Sequence, residues 1–233
     1  IFVKVRSMDR ILIVGCMVEK CIGSFASTTI LTLAAPYITA TYNTDDQSTF
    51  LSSLSLIAGL TSIVCVVVFM ASKASKRINP AWVFIFSLST FLLAYLHSFP
   101  AFDFYTTPII LRNDTSFPNG CDVKEYSWCE GGRIVNKWQW IGVSGVLIGI
   151  AVPLASIAFD TIYSKVLGKV DQNLMQGMII VVVDCAIILV PIGATTCFKY
   201  YGPSVWWLIV VGVMAFGILL WIFLLPRLRK STV

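Results

Sequence analysis

Three ionisable side chains sit well inside apolar stretches of the sequence. Glu19 and Lys20 interrupt "ILIVGCMVEKCIGSF", and Asp184 interrupts "MIIVVVDCAIILVP". Insertion of such a charge at the centre of a membrane costs about 2.5–3.5 kcal/mol, so it faces a bundle interior or a wet cavity. The chemistry open to these groups is exchange of charge partners or of protons. Their spacing puts them at one depth. Counted from Arg10 and from Leu174, at 1.5 Å per residue, both sites fall about 14–15 Å in. A Lys20–Asp184 or a Glu19–Lys20 contact is therefore within reach. Neighbouring helical residues point about 100° apart, so Glu19 and Lys20 cannot both face one partner. Asp184 is expected either to line a central polar pathway or to sit in a fixed structural ion pair.

Other residues offer weaker chemistry. His97 is the only histidine, and its ordinary titration range suits a sensor of an acidic compartment. The competing reading is a satisfied histidine at a membrane interface. Pro153 and Pro191 each remove a backbone donor inside an apolar run. They are candidates for a hinge or an unwound segment, against a static bend. "GVSG" at 142–145 resembles the Gly-x-Ser-Gly of rhomboid intramembrane proteases, which need a histidine on the sixth span. The sixth run here has none. A serine without a base is not an activated nucleophile, so Ser144 is expected to belong to a packing face with Gly145 and Gly149, and no enzyme is expected. No metal-ligand spacing, phosphate loop or dinucleotide fingerprint is present, so no cofactor or metal is expected.

The elements that must position these residues are membrane spans. The chain has 233 residues, 57% hydrophobic and only 12% charged. No soluble domain of this size needs so much apolar surface. Six apolar runs stand out, at about 11–41, 50–72, 81–100, 138–159, 174–196 and 204–226. Each matches a hydrocarbon core about 30 Å thick, and in lipid each must close its backbone hydrogen bonds as a helix. The expected fold is all-α, a single six-helix transmembrane domain over 1–233 with the lipid bilayer as its principal partner. The first run is too long for a signal-peptide core. The chain opens on Ile1 rather than methionine, which points to a fragment or a processed piece.

Charge sets the orientation. Lys4, Arg6, Arg10, Lys73, Lys76, Arg77, Lys165, Lys169, Arg227, Arg229 and Lys230 fall in alternate gaps, and the intervening gaps are poorer in basic residues and hold Asp45–Asp46. By the positive-inside rule both termini are cytoplasmic, and the basic residues orient the chain rather than bind nucleic acid. The loop at 101–137 agrees. It carries an N-glycosylation sequon at Asn113 and the pair Cys121 and Cys129, whose disulfide would suit a lumenal compartment. A chance sequon and two free thiols are the alternative. Trp82, Trp138, Trp140, Trp206, Trp207, Tyr200 and Tyr201 lie near span ends and are expected to form an interfacial belt.

Three stretches together resemble a known family: "TLAAPYITATYNTDD", "ASKASKRINPAW", and "GCDVKEYSWC" followed by a span and "FDTIYSKVLGKVDQNLMQGM". They are similar to the C-terminal half of the major facilitator superfamily, and within it to a lysosomal subfamily linked to neuronal ceroid lipofuscinosis type 7. The resemblance implies two inverted three-helix repeats, with the first and fourth spans lining a cavity. It implies transport of a small solute or ion by alternating access, chloride among the candidates, in the endolysosomal membrane and together with an N-terminal half. The chain departs from the family where relatives carry an arginine near Val183–Ile187 and an acidic residue at Leu31. The gain of Asp184 favours a proton- or cation-coupled solute, or a silent paralogue. A non-transporting six-span scaffold or accessory protein is the alternative from another class.

Overall fold

A computed structural model describes residues 10–42, 47–73, 77–100, 105–112, 120–168 and 172–231. Among the described residues six long α-helices form: α1 (Arg10–Thr41), α2 (Gln47–Ala71), α3 (Pro80–Ser98), α4 (Lys137–Leu167), α5 (Gln172–Tyr201) and α6 (Pro203–Ser231). All six are long and apolar enough to cross a membrane, and the chain is a multi-pass membrane protein.

Helix starts follow local chemistry. The side chain of Asn79 accepts from the Ala81 N–H at 3.0 Å ahead of Pro80, and that of Asn136 accepts from the Trp138 N–H at 3.1 Å. Each satisfies a donor that the first turn leaves free, and proline suits the first helical position. α4 runs well past the expected end near 159. Its last two turns are amphipathic rather than apolar, and Ile162, Tyr163 and Leu167 are buried. Gly168, at φ 57°, closes the helix and returns its N–H to the Ser164 carbonyl at 3.2 Å; glycine takes that left-handed conformation at little cost. Pro36, Pro153, Pro191 and Pro226 all lie inside helices that continue through them. Pro153 and Pro191 therefore mark no unwound segment.

The helices interleave as two repeats, α1–α3 and α4–α6. α1 packs against α5 and α6, α4 packs against α2 and α3, and α3 closes on α6. The first helix of each repeat is thus lodged among the second and third of the other. Three crossings per repeat make the second repeat enter the membrane from the opposite side, so the repeats are inverted. The α2–α4 seam is built on small residues. A Cβ on Gly145 would stand 2.9 Å from Ile57 Cγ2, and one on Gly149 would stand 2.6 Å from the Ala58 carbonyl oxygen. Ser62 donates to the Gly149 carbonyl at 2.9 Å, and Ser87 of α3 donates to that of Ala151 at 2.8 Å.

The aromatic residues near span ends divide into two groups. Trp82, Trp138, Tyr200 and Tyr201 are exposed, as a belt requires. Trp140, Trp206 and Trp207 are instead buried, which corrects the expectation for them. Trp140 donates to Ser98 Oγ at 3.0 Å and Trp206 to Thr29 Oγ1 at 3.3 Å. The Trp207 ring lies against Tyr37 and Tyr95. Proximity to a helix end does not say whether a ring turns inward.

One folded loop joins the repeats. Within it β1 (Thr106–Pro108) pairs antiparallel with β2 (Arg133–Val135), and Cys121 and Cys129 form a disulfide. Tyr42 at the end of α1 donates to the Val135 carbonyl at 2.7 Å. Trp128 and Tyr126 pack on Phe198 of α5. Gly202, at φ 82°, turns the chain into α6 directly beneath Trp128, where a Cβ would stand 2.9 Å from Trp128 Cγ. Asn113 of the sequon lies outside the described residues, as do Lys4, Arg6, Asp45, Asp46, Lys76 and Lys169.

Candidate functional site

Lys20, Ser24 and Ser27 are spaced four and three residues apart, which places them within about 60° of one another on α1. Leu31, 80% exposed, continues the same face. Across from them α4 presents Val152, Ser156 and Phe159, and α3 supplies Phe84, Leu88 and Phe91. These residues line a half-open cavity of about 110 Å³. Its walls are largely apolar, with three hydroxyls and one ammonium set into them.

The ammonium is held by an aromatic relay. Lys20 Nζ lies 5.0 Å from the centre of the Phe159 ring, a cation–π distance. Phe159 stacks on Tyr163 at 5.7 Å and tilts against Phe84 at 5.9 Å. Phe84 in turn meets Trp221 of α6 edge-on at 4.9 Å. The Tyr163 hydroxyl donates to the Met175 carbonyl at 3.0 Å and ties this end of α4 to α5.

Glu19 points elsewhere, as the 100° step requires. It is 1% exposed. One carboxylate oxygen lies 3.1 Å from where a Cβ on Gly217 would stand, in the seam between α1 and α6. Both oxygens are buried with no hydrogen-bond partner among the described residues. An ionised carboxylate in that setting carries a desolvation penalty of several kcal/mol with nothing to offset it.

Asp184 is exposed on α5. Gly177, Val181, Ile188 and Thr195 share its face and are exposed with it. Among the described residues none of Glu19, Lys20 and Asp184 forms a salt bridge. The structure thus brings Lys20 to Phe159 and Glu19 to Gly217, and it joins neither of them to Asp184.

The remaining candidates lie apart from the cavity. His97 is half-buried near the end of α3 beside the folded loop. Its ring stacks on Tyr105 at 5.9 Å, and Nε2 has no partner among the described residues. Ser144 is 2% exposed and its hydroxyl bonds to nothing among the described residues. A serine sealed from water and from any base is not an activated nucleophile.

No protein-family model matches the chain, and no solved structure matches it significantly. One curated relative is the major facilitator superfamily domain-containing protein 8 of Xenopus laevis. It is 28% identical over 90 residues, which is 39% of this chain and 17% of that protein's length. The likeness supports a relationship of the major facilitator kind.

Two parts of the site escaped sequence reading. The floor of Phe84, Leu88 and Phe91 looks like ordinary core, and only the meeting of α1, α3 and α4 across two repeats turns it into a cavity wall. The Glu19 seat depends on Gly217 far along the chain. Lys20, Ser24 and Ser27 did carry a signal, because a cation and two hydroxyls recur on one helical face.

Proposed function

We propose that this chain is half of a carrier that moves a small solute or ion across the membrane by alternating access. The observation that carries the reading is the polar stripe of Lys20, Ser24 and Ser27, which lines a cavity between the leading helices of two inverted repeats. Solute sites of such carriers lie near the midplane at repeat interfaces. The name of the Xenopus relative also favours a transporter over an enzyme. The other half would cover the face bearing Asp184, Ile188 and Thr195, since a carboxylate at that depth is costly against lipid. The loop-rich side is lumenal in this reading, both termini are cytoplasmic, and the membrane is endolysosomal. Cys121–Cys129 and glycosylation at Asn113 would suit that side.

Accessibility labelling tests the reading without knowledge of the solute. Ser27→Cys and Ser156→Cys would each be introduced into the complete gene product after Cys16, Cys21, Cys65, Cys185 and Cys197 are replaced by alanine. In sealed vesicles of either orientation, a membrane-impermeant maleimide should reach both positions from both sides. Access from one side only, or from neither, would favour a scaffold that does not cycle.

A further inference from the structure

We infer that the cavity between α1, α3 and α4 binds a small organic monocarboxylate, with its carboxylate on Lys20 and its hydrocarbon part on Phe84, Leu88 and Phe91. The inference rests on the carrier reading only in taking the bound molecule to be the one carried.

The sign of the ligand follows from which charges reach the lumen. Lys20 and Glu19 both border the cavity. The Glu19 oxygens are fully buried and one of them lies against Gly217, so they are not presented to a molecule in the cavity. Lys20 is half-exposed and has no carboxylate partner among the described residues. The lumen therefore offers one unneutralised positive charge. A zwitterion would find no anionic partner, and a cation would meet repulsion.

The hydroxyls fit an acceptor head group. Ser27 Oγ already donates to the Ser24 carbonyl at 3.1 Å. The Ser24 and Ser156 hydroxyls make no hydrogen bond among the described residues, so both protons remain for a carboxylate. One ammonium and two hydroxyl donors suit a singly charged group, whereas a phosphate dianion calls for a second cation. The rest of the wall is aromatic and aliphatic. A halide would leave that surface unfilled, and a short hydrocarbon chain would cover it. An apolar cavity of about 150 Å³ holds benzene. By proportion, about 110 Å³ takes about four or five non-hydrogen atoms, the size of acetate or propionate.

The test is thermal unfolding of the purified full-length protein in detergent, at constant ionic strength. The probes are propionate, ethylammonium, glycine and sodium chloride. Propionate should raise Tm by several degrees, because a ligand bound only by the folded state stabilises it, while the other three should not. Lys20→Met should abolish the shift, Lys20→Arg should keep most of it, and Leu88→Trp should remove it by filling the cavity. A larger shift with glycine or ethylammonium would overturn the inference. So would an equal shift with chloride alone, or a propionate shift that survives Lys20→Met. Uptake of labelled propionate into vesicles is scored separately. Binding without uptake, with maleimide access from one side only, would sink the carrier reading and keep this one. Two-sided maleimide access with no propionate shift would do the reverse.

Discussion

A carboxylate oxygen of Glu19 lies 3.1 Å from the place where a Cβ on Gly217 would stand. Glycine at 217 therefore makes the room in which a buried, unpartnered acid sits between α1 and α6. Gly217→Ala should cost about 1–3 kcal/mol, the usual cost of overpacking. Glu19→Ala in the same chain should recover part of that loss. A double-mutant cycle on Tm measures the coupling, and strictly additive effects would show that the two side chains do not meet.

The same seat separates a functional acid from a structural one. Replacing a buried, unpartnered carboxyl by an apolar group of similar size removes its desolvation cost. Glu19→Met should therefore leave Tm unchanged or raise it, and should impair solute flux. A clear drop in Tm would mean that Glu19 has a stabilising partner in the intact protein.

Much of this arrangement was legible in the sequence, for physical reasons. A hydrocarbon core fixes span length, so the six apolar runs gave the six helices. The step of about 100° per residue fixed the divergence of Glu19 and Lys20. Features that depend on which helix lies opposite were not legible. Trp206 and Trp207 looked like belt residues until α1 and α3 were found beside them. The amphipathic extension of α4 to Leu167 carried no apolar signal. The depth argument matched Lys20 to Asp184, but depth is one coordinate of three, and azimuth sends Lys20 to Phe159.

The α2–α4 seam gives a packing prediction. A Cβ at Gly149 would lie 2.6 Å from the Ala58 backbone oxygen, and backbone cannot yield as a flexible side chain can. Gly149→Ala should lower Tm markedly and broaden the size-exclusion peak. Gly142→Ala, on the same helix with nothing within 4 Å of the added carbon, should be neutral. Equal behaviour of the two would sink the close-approach account.

The folded loop should be held by its disulfide. Cys121 and Cys129 are separated by 8 residues, and closing a loop of that size is worth about 2–3 kcal/mol in the chain-entropy account. Reduction should lower the Tm of the loop, read by the fluorescence of Trp128 where it packs on Phe198. Cys121→Ser with Cys129→Ser should match the reduced protein and should no longer respond to reductant. A maleimide that labels either cysteine before reduction would show that the bond is not formed.

Asp184 offers the sharpest test of what covers α5. Its face also carries Gly177 and Thr195, all exposed, among the apolar side chains of Val181 and Ile188. Lipid would disfavour the carboxylate by about 2.5–3.5 kcal/mol; a water-lined pathway or a second six-helix half would not. Asp184→Cys, in the protein stripped of its five free cysteines, should react with a water-soluble maleimide in native membranes. Leu208→Cys on α6 gives a control at another exposed apolar position and should stay unlabelled. If Asp184→Cys reacts, Asp184→Asn should leave Tm nearly unchanged and alter the pH dependence of flux. If both positions stay unlabelled, the α5 face is sealed from water, and Asp184 must be neutralised by a group on whatever packs against it.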